Sequence, residues 1–140
     1  MKIKAIIFDV NVKTKADLFV YIAKEFSNLG VVSDEHIYLK SLITREAEYS
    51  TGLTDGIAIP HGKSPTVLEH EVLFIKLRTP MDYGTLDDSK VQYVFALAIA
   101  QMENNHLDML MELSVKLMHS ENIERLEQAQ NAEDIAAIFA

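Results

Sequence analysis

The chain has 140 residues, of which 49% are hydrophobic and 24% are charged, enough apolar material for one globular domain with its own core. Its 13 Lys and Arg residues against 21 Asp and Glu residues give a formal net charge of −8, which argues against general nucleic-acid binding and against docking on an anionic membrane. Because cysteine is absent, disulfides, thiolate catalysis and cysteine-based zinc sites are excluded.

The first part of the chain predicts one strand and then two helices. Residues 3–8 form a short β-prone run, and from Thr14 apolar residues recur at helical spacing. Gly30 is placed where a glycine typically ends a helix. Ser33, which is followed by two acidic residues, predicts the N-cap of a second helix that runs to about Glu48.

The rest of the chain predicts strands and then helices. Residues 50–65 are typical of loops around one short apolar strand at 57–59. Two buried strands are predicted at 72–77 and 91–100, and the remainder is helical, ending with a segment from Ile135 to Phe139. The sequence has no repeat and no Gly/Ser-rich or Pro-rich linker. We therefore expect residues 1–140 to form a single layered α/β domain, with a mixed central sheet flanked by helices.

The sequence favours a cytoplasmic protein. No stretch is apolar for long enough to cross a bilayer, which takes about 20 residues, so direct membrane insertion is not expected. The first apolar run meets Asp9 too early for a secretory signal, and no small-residue cleavage site follows it.

Three of the five histidines are expected to be ordinary surface residues. His36 and His119 fall on helical stretches with polar and charged neighbours. His70 lies between Glu69 and Glu71, but adjacent strand residues point to opposite faces, so the three cannot converge on one metal ion. Surface charge is the favoured interpretation of this trio.

His61 has a context that suits a nucleophile or a ligand. It follows an apolar strand and Pro60, which fixes its own φ, and it precedes Gly62, which leaves room beside the ring for a visitor. Ser50 and Thr51 lie in the polar loop before it and can offer hydroxyl and N–H groups to an oxyanion. Ser50, Thr51 and Gly62 are the predicted phosphate-binding residues. A loop histidine that only caps a turn fits the same local pattern around His61.

Two further residues have both a structural and a functional interpretation. His106 opens a predicted helix just after strand 91–100, at the rim where α/β proteins place ligands. Arg45 falls in the last turn of the second helix, where an arginine can bind phosphate or simply complement the helix C-terminus. From these local patterns alone, capping is favoured for both residues.

The motifs together resemble the phosphorylation-site signature of enzyme IIA of the sugar phosphotransferase system, of the fructose/mannitol type. Residues 45–53 read Arg-Glu-Ala-Glu-Tyr-Ser-Thr-Gly-Leu, and residues 56–63 read Gly-Ile-Ala-Ile-Pro-His-Gly-Lys. The connector at 80–87, the apolar strand at 91–100 and Asn-His-Leu at 105–107 resemble further segments of that family, in the same order. The similarity runs from about residue 3 to the C-terminus.

The resemblance implies a phosphoryl carrier that needs no metal or cofactor. His61 would accept a phosphoryl group from phospho-HPr, on an imidazole nitrogen that we expect to be Nε2, and pass it to enzyme IIB. His106 would hydrogen-bond the phosphoryl oxygens, and Arg45 would add positive charge to the pocket. The membrane transporter, enzyme IIC, would be served only indirectly, and a fructose-like sugar is favoured.

The chain departs from the family pattern at two places. Thr54-Asp55 stand where Gly-Asn or a similar pair is usual, and an acidic residue near the pocket should weaken anion binding unless it points away. Gln101 stands where a proline usually follows the apolar strand.

Three alternatives accompany this interpretation. Enzyme IIA relatives also act as phosphorylation-dependent regulators of nitrogen metabolism or transcription, with the same histidine. A haloacid-dehalogenase-type phosphatase is a remote alternative, since a strand ending in Asp9 resembles its first motif. That motif has a second Asp followed by Gly-Thr, whereas residues 11–13 here read Asn-Val-Lys. A binding module without catalysis is disfavoured by the intact His61 and His106.

Overall fold

A computed structural model describes residues 1–101 and 106–140, apart from the side chains of His106 and Leu107. Within these residues the strands are β1 (Ala5–Val10), β2 (Ile57–Ala58), β3 (His61–Ser64), β4 (Glu71–Met81) and β5 (Val91–Ala100). The helices are α1 (Lys15–Asn28), α2 (Glu35–Glu48), α3 (His106–Met118), α4 (Ser120–Gln128) and α5 (Ala132–Ile138).

The described strands form one mixed sheet in the order β1-β4-β5-β2, and β3 continues beside β5 after β2 ends. β1 runs parallel to β4, β4 runs antiparallel to β5, and both β2 and β3 run parallel to β5. The sheet edges are therefore β1 on one side and the β2–β3 pair on the other. This topology confirms the predicted α/β fold with a mixed sheet.

Helices cover both faces of the sheet because its central strands are apolar on both sides. On one face, Leu18 of α1 and Leu42 of α2 pack in the same buried cluster as Leu73 of β4. On the other face, Leu113 of α3 clusters with Phe74, the neighbour of Leu73 in β4. Each such side chain contributes roughly 1.5–3 kcal/mol when fully buried. The alternation along β4 thus holds the two helical layers on opposite faces.

The boundaries of α1 and α2 follow from their capping residues. Thr14 Oγ1 accepts a hydrogen bond from Asp17 N at 3.1 Å, and Gly30, beyond the C-cap, has a φ of 74°. The predicted N-cap of α2 at Ser33 is wrong by one residue. Asp34 is the cap, because its carboxylate accepts from two backbone N–H groups, whereas the Ser33 hydroxyl donates to the Thr66 carbonyl.

The strands differ from the prediction at three places. β1 lies at 5–10 instead of 3–8, and β4 continues to Met81, into the predicted connector. Residues 61–64, which lie in a segment predicted to be a loop, form β3. Their sequence, His-Gly-Lys-Ser, has little β propensity. The strand forms because these residues pair with Leu97–Ala100 of the buried β5. The last helix begins at Ala132, earlier than predicted.

None of the helices within the described residues combines the length and the apolar character that crossing a membrane requires.

Candidate functional site

The candidate site lies where β3 packs against the C-terminal half of α2. His61 is the half-buried first residue of β3, and it pairs with Leu97 of β5. Gly62 follows, and a Cβ at this position would collide with the Ser41 hydroxyl and lie 3.1 Å from Cε1 of Tyr38. The absence of a side chain at Gly62 is therefore what lets β3 approach α2 closely, and this approach brings Arg45 to His61.

The ring of His61 has a hydrogen-bond partner at each nitrogen. Its Nδ1 is 2.9 Å from the carbonyl oxygen of Ile59, and its Nε2 is 3.1 Å from Nε of Arg45. An arginine Nε can only donate, so Nε2 accepts, and Nδ1 carries the proton that it donates to the Ile59 carbonyl. The geometry thus defines a neutral ring whose lone pair lies on Nε2, toward the arginine.

Arg45 fills the helix-capping role that its position in the sequence allowed and also contacts His61, while its binding of phosphate stays a prediction. Besides contacting His61, it donates from Nη1 to the carbonyl oxygen of Tyr49 at 3.0 Å, at the C-terminal end of α2. Its guanidinium carbon also lies 4.2 Å from the centre of the Tyr49 ring. These contacts fix the direction of the guanidinium, so that it faces His61 without needing a ligand to order it.

An open cavity of about 420 Å³ adjoins His61. Its described lining carries three cationic side chains, Lys40, Arg45 and Lys63, together with the carboxylate of Glu48. The remaining lining residues are Ile37, Ser41, Thr44, Ser64 and Pro65. The positive excess suits an anionic group, although the whole chain is acidic.

Ser50, Thr51 and Gly62 lie outside that lining. The Ser50 hydroxyl donates to the carbonyl oxygen of Gly84 at 2.6 Å and accepts from the N–H of Gly52 at 3.1 Å. The Thr51 hydroxyl donates to Glu46 at 2.6 Å, and Gly62 is packed against α2. Their contact with a phosphoryl group stays a prediction. What the structure provides is their part in holding the loop and the strand that position His61.

Glu46 of α2, which the sequence did not single out, accepts hydrogen bonds from this loop. Its side chain is only 8% exposed and accepts from Thr51 N at 2.8 Å, from the Tyr83 hydroxyl at 3.1 Å and from Lys15 Nζ at 3.1 Å. Burial alone would raise the pKa of this carboxyl, but the hydrogen bonds from Thr51 and Lys15 lower the pKa below its ordinary value. One signal was present, because a glutamate in the last turn of a helix opposes the helix dipole and so indicates a tertiary partner.

The second predicted histidine, His106, is the first residue of α3, and its side chain lies outside the described residues. Its predicted proximity to His61 therefore stays a prediction. Asp55, the acidic departure from the family pattern, is not among the residues that line the cavity. Asp55 is exposed, with its carboxylate accepting from the Thr54 hydroxyl at 3.0 Å and its N–H donating to Asp87 at 3.1 Å.

The other candidate residues have structural partners. Asp9 forms a two-pronged ion pair with Arg78, at 2.9 and 3.2 Å, and a hydrogen bond from that guanidinium lowers the pKa of the carboxyl. His70 corrects an expectation, because it is half-buried and its Nδ1 accepts from the N–H of Ala100 at 3.0 Å, so it is not simply surface charge. Among the side chains that the structure describes, residues 1–101 and 108–140, no three potential metal ligands converge.

A mixed α/β sheet that holds a neutral histidine beside an arginine and a cationic cavity has groups suited to an anionic ligand such as a phosphoryl group. All of residues 1–140 match the family described as "Phosphoenolpyruvate-dependent sugar phosphotransferase system, EIIA 2", and the chain belongs to this family. The members of the family are phosphotransferases that relay phosphoryl groups on histidine. The resemblance inferred from the motifs is confirmed, and the chain falls in a different family from the dehalogenase-type phosphatases.

Relatives of the chain include both fructose and mannitol components. It is 31% identical over 132 residues to the "PTS system fructose-specific EIIABC component" of Bacillus subtilis strain 168, which is 94% of this chain but only 21% of that protein. It is 34% identical over 113 residues to the "Mannitol-specific phosphotransferase enzyme IIA component" of the same strain, covering 79% of this chain and 75% of the relative.

Solved structures include a regulator. Nitrogen Regulatory Protein IIA-Ntr from Neisseria meningitidis superposes with a TM-score of 0.88 at 29% identity, covering 98% of this chain and 94% of that one. Enzyme IIAMTL from Escherichia coli, in a complex with phosphorylated enzyme IIBMTL, superposes with a TM-score of 0.80 over 95% of this chain and 92% of that one. The identity there is 23%, so this likeness concerns the fold.

Proposed function

We propose that this chain is a phosphoryl carrier of a sugar phosphotransferase system, with Nε2 of His61 as the phosphoryl acceptor. Phospho-HPr is the proposed donor, an enzyme IIB is the proposed recipient, and a fructose-like sugar is the proposed cargo of the associated transporter, enzyme IIC. The observation that carries this proposal is the placement of His61 Nε2 3.1 Å from Arg45 Nε, with Nδ1 held by the Ile59 carbonyl.

The proposed step exchanges one phosphorus–nitrogen bond for another. The lone pair of His61 Nε2 forms a bond to phosphorus while the bond to the donor imidazole breaks, and its electron pair leaves with the donor nitrogen. The proton on His61 Nδ1 stays in place, so the ring becomes more positive as the bond forms. The Ile59 carbonyl, 2.9 Å from Nδ1, supports that positive charge and keeps the ring basic at Nε2.

Arg45 has a part in the same step. Once phosphorus occupies the lone pair of His61, the guanidinium loses its acceptor there, and its donors become available to the phosphoryl oxygens. The cations of the cavity add charge on the same side. An arginine is suited to this exchange, because its planar fork stays charged and matches phosphate oxygens.

The remaining site residues complete the proposal. His106 would hydrogen-bond the phosphoryl oxygens. The predicted phosphate contacts of Ser50, Thr51 and Gly62 would require the loop to rearrange when the group is bound, since its hydroxyls are engaged within the protein. We further propose that residues 1–140 act as one domain in the cytoplasm, where the donor and the recipient would meet it.

The test is phosphorylation by phosphoenolpyruvate, enzyme I and HPr. The wild-type chain should acquire an acid-labile label, and His61→Ala should abolish the label because the acceptor nitrogen is gone. His36→Ala is the matched control, because His36 is an exposed histidine on α2, and it should be labelled as the wild type is. An acid-stable label, or full labelling of His61→Ala, would overturn the proposal.

A second candidate, a phosphorylation-dependent regulator, is favoured by the likeness to the nitrogen regulatory protein. Both candidates share the acceptor histidine, so labelling does not separate them. Transfer does, because a transport component should pass its label to a fructose-type or mannitol-type enzyme IIB. A chain that becomes labelled but passes the group to neither type would be assigned to regulation.

A further inference from the structure

We infer that Glu46 is a positioning residue for the phosphoryl-accepting histidine, acting through Thr51 and Ile59 to hold the ring of His61 with its proton on Nδ1. The inference rests on the proposed function and assigns a role to a carboxylate that does not line the cavity. Glu46 lies on α2 next to Arg45, so the two neighbours reach the same imidazole by different routes.

The indirect route is a continuous chain of hydrogen bonds. Glu46 accepts from the N–H of Thr51 at 2.8 Å and from its hydroxyl at 2.6 Å. The Thr51 carbonyl accepts from the N–H of Ile59 at 3.0 Å. The Ile59 carbonyl is the 2.9 Å partner of His61 Nδ1. Each link is buried or half-buried, so the position of the Glu46 carboxylate is transmitted to the proton-bearing nitrogen of the ring.

The direct route is the hydrogen bond from Arg45 to the other ring nitrogen of His61. Arg45 Nε reaches His61 Nε2 at 3.1 Å, and Arg45 and Glu46 are consecutive in the last turn of α2. Two consecutive residues of α2 therefore position the two ring nitrogens, Arg45 by direct contact with Nε2 and Glu46 indirectly at Nδ1. A shift of the loop that carries Ile59 would remove the acceptor from Nδ1 and allow the proton to move to Nε2, where it would block the nucleophile.

The hydrogen bonds around Glu46 favour a carboxylate at this position. Its Oε2 accepts from the Thr51 N–H and the Lys15 ammonium, which can only donate, and its Oε1 accepts from the hydroxyls of Thr51 and Tyr83. A glutamine would lose the charge that pairs with Lys15, and it would keep the Thr51 N–H bond only by turning its NH₂ group toward the two hydroxyls, which would then have to accept instead of donate. With only 8% of the side chain exposed, water has little access to compensate for the lost charge.

The experiment compares wild type, Glu46→Gln and the control Glu127→Gln, an exposed glutamate on α4. The ¹⁵N chemical shifts of the His61 ring, measured at about pH 8.5 where an ordinary histidine is neutral, report which nitrogen carries the proton. Wild type and Glu127→Gln should show the proton on Nδ1, and Glu46→Gln should show a mixture. With phospho-HPr as substrate, kcat of Glu46→Gln should fall about tenfold with KM unchanged.

A tautomer and a kcat like those of the wild type in Glu46→Gln would overturn the inference. If Glu46→Gln does not fold, Thr51→Val provides the test. This variant removes the hydroxyl bond from Thr51 to Glu46 and should shift the His61 tautomer in the same direction. A Thr51→Val protein with wild-type shifts and rate would then overturn it. Failure of the proposed function is distinguishable, since it would leave the wild type unlabelled while the tautomer comparison remained measurable.

Discussion

Two carboxylates paired with cations lie near opposite edges of the sheet, Asp9 in β1 and Glu46 on α2 beside β3. Their surroundings differ. At the β1 edge, Asp9 pairs with Arg78 through two short contacts, with side chains 69% and 53% exposed. Beside the β3 edge, Glu46 pairs with Lys15 at 3.1 Å with only 8% of its side chain exposed, and it also accepts from Thr51 and Tyr83.

The difference in exposure leads us to expect different contributions from two ion pairs of similar geometry. Water screens the exposed pair, and the free energy that such a pair contributes is small even when the contacts are short. Water has little access to the Glu46 carboxylate, so the loss of any one of its hydrogen bonds should cost free energy of folding that water does not restore. The β3 edge is therefore the region where a single atom added or removed should disturb both stability and the candidate site.

The largest effect is expected at Gly62. Gly62→Ala places a Cβ against the Ser41 hydroxyl and within 3.1 Å of Tyr38, so β3 must move away from α2. Overpacking of this kind costs about 1–3 kcal/mol in the free energy of unfolding, measurable by urea denaturation. Ser41→Ala provides the control background. The penalty should be smaller there, and an equal penalty in both backgrounds would show that the clash does not lie at Ser41.

An intermediate effect is expected in how the free energy of unfolding depends on pH, through the titration of Glu46. The pKa of this carboxyl is lowered in the folded protein from its ordinary value of 4.5. The unfolded chain therefore binds the proton more readily, and the contribution of Glu46 to stability is present above pH 4.5 and is lost as the pH falls through the folded pKa. The difference in unfolding free energy between wild type and Glu46→Gln should narrow below pH 4.5. A difference that stayed constant or widened on acidification would contradict this.

The smallest effect is expected at the opposite edge. Asp9→Asn removes the charge from an exposed pair, so the urea midpoint and the rate of phosphoryl acceptance should both remain those of the wild type. This variant also serves as the counterpart of Glu46→Gln, because both replace a carboxylate by its amide. A large loss of stability or of labelling in Asp9→Asn would remove the contrast between the edges.

The elements predicted most accurately are those whose own residues, and not distant partners, determine their structure. The strand at Val91–Ala100 was predicted with its observed bounds, because ten mostly apolar residues in a row are typical of a strand buried on both faces. The two N-terminal helices were predicted to within a residue or two from apolar spacing and terminal signals. His61 was proposed as a candidate from the apolar strand before it, its flanking proline and glycine, and the polar loop nearby, and the family resemblance then favoured it over a histidine that only caps a turn.

Sequence reasoning failed where partners distant in the chain decide. β3 is a strand only because β5 offers it backbone partners, and its sequence alone resembles a loop. The sequence also does not reveal the partners of Ser50 and Thr51, whose hydroxyls donate to Gly84 and Glu46, and the contact of these two residues with phosphate stays a prediction. Which acceptor a hydroxyl finds depends on the path of the loop, and a local pattern does not contain that path.

By itself, the sequence determined the class of fold and the family, and it proposed His61 as the acceptor, because hydrophobic periodicity and motif spacing are local properties. Only the tertiary structure decided that Arg45 reaches that histidine and that Glu46 supports the loop behind it. The physical reason is that these side chains meet through the path of the chain and not through a local pattern. Arg45 bonds His61 of β3 and Glu46 bonds Tyr83 after β4, both remote in sequence, and even the nearby Thr51 is bonded to Glu46 only because the loop before β2 turns back toward α2.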